Sequence, residues 1–206
     1  MALLTWLGFV AAALVVLFIP GPTVILVVSY ALTQGRQVAV RVAAGVALGD
    51  LVAMTLSLAG LGAVIAASAE IFTALKLAGA AFLVYLGIRL WRSQPELPSV
   101  GPAPEPAGSS VFAHAFVVTA LNPKSIAFFI AFVPQFIDHG RPLLPQLAII
   151  EATFVTLATL SALGFALAAD QLRRRIRRPG VLRWVIRAGA SCLVGMAVAT
   201  VAINRT

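Results

Sequence analysis

Between Leu3 and Ala31 the chain carries no charged residue. Stretches 42–67, 72–90, 111–137, 144–168 and 185–203 are nearly as apolar, each holding one or two charges. A helix needs about 20 mostly apolar residues to cross a bilayer. Six such runs predict an all-α integral membrane protein with six transmembrane helices. Composition agrees: 61% of the 206 residues are hydrophobic and 11% are charged, where a soluble domain is about a quarter charged. The first run is longer than the apolar core of a signal peptide, about 7–15 residues, and is read as a retained span.

One stretch departs from this pattern. "SQPELPSVGPAPEPAGSS", residues 93–110, is too rich in proline, glycine and serine to bury a core and reads as a linker. It divides the chain into a first three-helix unit (1–92), a cytoplasmic linker (93–110) and a second three-helix unit (111–206). Orientation follows from the arginines, which outnumber lysines thirteen to two. Eleven of them (36, 41, 89, 92, 173, 174, 175, 177, 178, 183 and 187) fall on one side of the six spans, against Arg141 and Lys76 on the other. Such an excess marks the cytoplasm, so both termini of this multi-pass chain are expected outside. The cluster "RRRIRRPG" (173–180) fits topology retention, or a site for anionic lipid headgroups.

Three spans per unit force the second unit to run through the membrane upside down relative to the first, so any repeat here is an inverted one. Both units open on a broken span. The first contains "IPGPTV" (19–24) and the second "LNPKS" (121–125). Asp50 follows Pro20 by 30 residues, and Glu151 follows Pro123 by 28. Paired breaks in corresponding helices, each followed by an acid in the next, point to a midplane binding site.

Proline removes an amide donor and clashes with the carbonyl four residues back. In lipid the freed carbonyls need protein or a wet cavity. The half-helix that restarts after Pro22 has leading amides, around Thr23 and Val24, with no internal partner, and such an end attracts anions. A charge at bilayer depth costs about 2.5–3.5 kcal/mol and so usually has a purpose and a partner. Asp50 and Lys124 lie well inside their spans; they could pair directly, or face the ammonium and the carboxylate of a zwitterion. Glu151 lies nearer a span end, lining the pathway or sitting at the interface. Gly45-x-x-x-Gly49 reads as a close-packing face, and Lys76 as a snorkelling end residue.

Other chemistries leave no trace. No G-x-x-x-x-G-K-[ST], H-E-x-x-H or G-x-S-x-G occurs. The lone Cys192 allows no internal disulfide, and His114 and His139 lack the spacing of a metal pair. No metal, cofactor, nucleic-acid partner or catalytic residue is expected, and the chain is not read as an enzyme.

"PGPTVILVVSYAL" (20–32), "GVALGD" (45–50), "KLAGAAFLVYLGIRLWRS" (76–93) and "NPKSIAFFIAFVPQF" (122–136), in that order, give a sequence that resembles the LysE/RhtB family of bacterial amino-acid exporters. The resemblance covers nearly the whole chain. It implies proton-driven export of amino acids or their derivatives, by a homodimer. Members often carry Asp or Asn directly after Pro-Gly-Pro, where this chain has Thr23. The resulting expectation is a secondary transporter working by proton antiport. Pro20, Gly21, Pro22, Thr23, Asn122, Pro123 and Lys124 would line the substrate site, and Asp50 and Glu151 would carry the proton. The alternatives are a cation or metal-ion exporter, weakened by the scarcity of further ligands, and a membrane-embedded enzyme.

Overall fold

The computed structural model describes residues 1–19, 21–35, 38–67, 69–92, 108–138, 140–169, 184, 187–188, 190–191 and 193–198. Pro20, most of the linker, the 173–180 arginine cluster, His139 and about half of the expected sixth span lie outside the described residues. Among those described are seven α-helices and no strand: α1 (Leu3–Phe18), α2 (Pro22–Gln34), α3 (Ala39–Ala67), α4 (Ala69–Arg92), α5 (Gly108–Ala120), α6 (Pro123–Ala131) and α7 (Leu143–Leu167); the described residues between 184 and 198 are helical as well. A short 3-10 helix, Val133–Phe136, follows α6.

Two stretches, Ala39–Gly60 within α3 and Leu143–Leu167, are long and apolar enough to cross a membrane unbroken. The number rises to four if each bent pair counts as one span: α1 with α2, turned by 57°, and α5 with α6, turned by 42°. α4 covers the expected third span, and its described apolar part is the shorter Leu77–Arg89.

Each bend has the same local cause. Proline is tolerated in the first turn of a helix, where its missing amide would be unsatisfied anyway. Pro22 and Pro123 both take that place, after Gly21 and Asn122 at the N-caps. α2 ends at Gly35, whose φ of +75° is the left-handed conformation that glycine adopts without strain. The second broken span differs from expectation at its far end. It was read as continuing to residue 137, but the helix stops at Ala131 and tightens into the Pro134-containing 3-10 turn.

α3 is the central element and packs on α5, α6 and α7. Its contact with α5 is a glycine face, as Gly45-x-x-x-Gly49 suggested. A Cβ on Gly45 would lie 2.6 Å from the Phe112 carbonyl oxygen, and one on Gly49 would lie 2.8 Å from that of Phe116. The largest buried cluster is aromatic. Phe9, Phe128, Phe129, Phe132 and Phe154 pack together with Met54 and Ile150, and the Phe129 and Phe154 rings meet edge-on with centroids 4.8 Å apart.

Candidate functional site

The two bends meet. Lys124, on the first turn of α6, reaches back to the end of α1, where its ammonium donates to the carbonyls of Val16 and Ile19 at 2.9 Å each. Those carbonyls close a helix that the following Gly21-Pro22 cannot extend, and lipid offers no donor for them. Gly21 makes the crossing possible, since a Cβ there would lie 3.2 Å from Lys124 Nζ and 3.4 Å from Cε. Lys124 is buried, at 9% exposure.

Asn122 ties the same two segments a second time. Its Oδ1 accepts from the Lys124 backbone amide at 3.1 Å, capping α6. Its Nδ2 donates to Thr23 Oγ1 at 3.2 Å, and the Thr23 and Thr119 hydroxyls lie 3.3 Å apart. α2, by contrast, starts without a side-chain cap.

Asp50 completes the site from α3. It is 3% exposed, and its buried Oδ1 has no hydrogen-bond partner. The direct Asp50–Lys124 pair is not closed. Among the described residues the ion pair within 4.0 Å is Arg141–Asp138, at the surface. A buried carboxylate oxygen without a donor is costly, and such groups mark functional positions in membrane proteins.

Thr23, Asp50, Asn122, Lys124, Ser125 and Ser161 all line one cavity, with Val46 and Phe165 among its apolar walls. Its volume is about 30 Å³, room for roughly one or two waters and too little for an amino acid. Gly21 borders it through Lys124, while Pro22 and Pro123 shape it by starting α2 and α6. Glu151 is elsewhere. It accepts a hydrogen bond from Thr55, five residues beyond Asp50 on α3, or about 7.5 Å of helix rise. The buried Met54 precedes Thr55 on α3, and the buried Phe154 follows Glu151 by three residues on α7.

Sequence reasoning missed Ser125, Thr119 and Ser161. Ser125 could have been found as the last residue of "NPKS", one position beyond Lys124. His114, which lacks a metal-pair partner, has a different one: its Nδ1 lies 2.8 Å from the hydroxyl of the buried Tyr30. Among the described residues no three His, Cys, Asp or Glu side chains gather as a metal site would require.

Comparison with known proteins agrees with the resemblance. A family model described as LysE type translocator matches residues 14–203. An uncharacterized membrane protein of Vibrio cholerae is 33% identical over 190 residues, covering 92% of this chain and 93% of the relative. A homoserine/homoserine lactone efflux protein of Salmonella typhimurium is 30% identical over 197 residues, covering 95% and 96%. Its counterpart in Salmonella typhi is 29% identical over the same length. No solved structure matches the chain. With the family model spanning all but the ends, and a relative 33% identical along nearly its full length, the chain is a membrane protein that belongs to the LysE type translocator family.

Proposed function

We propose that the protein exports an amino acid or a small amino-acid derivative across the bacterial inner membrane, in exchange for protons. The observation that carries this reading is the cavity at the crossing of the two bends. It gathers a cationic ammonium, a helix start without a side-chain cap and a buried carboxylate with a free oxygen. An α-amino acid presents the complementary pair of charges. The substrate carboxylate takes the third donor of Lys124, whose other two are engaged on Val16 and Ile19, and the leading amides of α2 at Thr23 and Val24. Its ammonium, or the counter-transported proton, takes Asp50. The efflux relatives support the direction of transport.

The architecture we propose is six spans in two inverted repeats, residues 1–92 and 111–206, joined by a cytoplasmic linker with both termini outside. The packing supports it. α3 contacts α5 and α6 of the other unit, α7 contacts α1 and α2 in return, and α3 and α7 contact each other. Exchanging the units maps this set of contacts onto itself. The cavity as described is smaller than the substrate, so transport requires the units to separate on one side and then the other.

Asp50→Asn tests the coupling, because it keeps the side chain's shape and removes the titratable proton. In reconstituted vesicles under an imposed pH gradient, uphill amino-acid transport is expected to vanish while exchange down the substrate's own gradient persists. Wild-type accumulation by the variant would remove Asp50 from the mechanism and turn attention to Glu151.

A further inference from the structure

The polar cavity shares a wall with a second hollow. Ser161 and Phe165 of α7 line both. The second is a groove of about 430 Å³ between α1 and α7, walled by Leu14, Phe18, Leu157 and Leu160. Phe18 and Leu160 are 58% and 60% exposed, so the groove opens on the outside of the bundle, which in a membrane is lipid. Leu157 and Ala168 mark its extent along α7, about 16 Å at roughly 1.5 Å per residue. Gly164 also lines it, and a Cβ built there meets nothing within 4 Å. The Phe18 and Phe165 rings meet edge-on, centroids 5.6 Å apart.

The two hollows differ in what they can hold. The first gathers the polar groups and, until the units separate, has room for roughly one or two waters. The second is apolar and falls in the usual range for small-ligand pockets, roughly 300–1,000 Å³. We propose that the α1–α7 groove is a tail subsite. A substrate whose head group is held at Asp50 and Lys124 extends an apolar side chain between Ser161 and Phe165 into the groove. The preferred substrate is then an amphiphilic amino acid rather than a small polar one. The wall of Ser161 and Phe165 shared with the polar cavity selects this occupant over a lipid chain. A lipid lying along the bundle needs no shared wall with Asp50's cavity and no hydroxyl at Ser161.

This inference rests on the amino-acid reading above, and its test separates the two. Vesicles carrying wild-type protein, Gly164→Leu, Phe165→Ala or the control Gly60→Leu are loaded with alanine or 2-aminooctanoic acid, and export of each is measured. Gly60 is exposed on α3, and a Cβ there also meets nothing within 4 Å. The wild type is expected to export both compounds. Filling the groove with Gly164→Leu should lower the 2-aminooctanoic acid to alanine ratio about tenfold, the scale of one or two buried methylenes. Phe165→Ala, which thins the shared wall, should raise the ratio, and Gly60→Leu should leave it at the wild-type value. An unchanged ratio in Gly164→Leu, or a wild type that exports alanine alone, overturns the tail subsite and leaves the amino-acid reading standing. A wild type that exports neither compound overturns that reading, and the subsite with it.

Discussion

In the function proposed above, Lys124 does two jobs with one ammonium. Two of its three hydrogens satisfy carbonyls that the break in the first span leaves open, and the third is available to a ligand. Lys124→Met should therefore cost stability as well as binding, since a buried acceptor left without a donor costs about 1–3 kcal/mol. Thermal unfolding of the detergent-solubilised variant, measured beside substrate binding, should show both losses. Gly21 is the neighbouring control. Gly21→Leu pushes a side chain into the path of Lys124, so transport should be abolished at equal membrane expression, because the change leaves the span apolar; normal export would reduce the break to a passive kink. At this scale the sequence was partly legible. Asp50, Asn122 and Lys124 stand out because polar groups in apolar spans are costly. Ser161 does not, because a hydroxyl on a helix can bond its own backbone, as Thr153, Thr156 and Thr159 of α7 do. Nor could the partners of Lys124 be read, since they lie 105 and 108 residues away along the chain.

The two half-helices that meet at the site start alike and are finished differently. Both carry proline in the first turn, yet α6 has Asn122 as a side-chain cap and α2 has Gly21. An N-cap Asn is worth about 1 kcal/mol over Ala. Asn122→Ala should lower stability by about that amount and also strip Thr23 of the donor that ties α2 to α6. Asn122→Asp keeps the cap but removes that donor, so it should recover stability without recovering transport. Unfolding curves and vesicle export on the two variants check the separation. The bends themselves were legible, because proline acts through local sterics alone. The early end of α6 at Ala131 was not read, although Pro134 was in view. A 3-10 turn there depends on the buried packing of Phe128, Phe132 and Val133, which no local pattern reveals.

The orientation proposed from the arginine distribution can be tested with single cysteines. On a Cys192→Ala background, an impermeant thiol reagent applied to intact spheroplasts should label a cysteine at Gly140 and spare one at Ser99. The reverse pattern would turn the protein over. Transport by the inverted units proposed above requires some helices to move and others to stay. The α3–α5 contact belongs to the second group. The backbone of α5 lies so close to Gly45 and Gly49 that even a methyl group would collide with it. Gly49→Val should therefore destabilise the solubilised protein by about 1–3 kcal/mol, as overpacking does, seen as a lower unfolding temperature. Sliding α3 along α5 by one position would bring Ala44 or Val46 to the place of Gly45, with the same collision. The helix that carries Asp50 is thus fastened, by two absent side chains, to a helix of the opposite unit. A joint that cannot slip is an axle: α3 and α5 turn together, and in the exchange cycle proposed above Asp50 rides on that axle while the access routes swing around it.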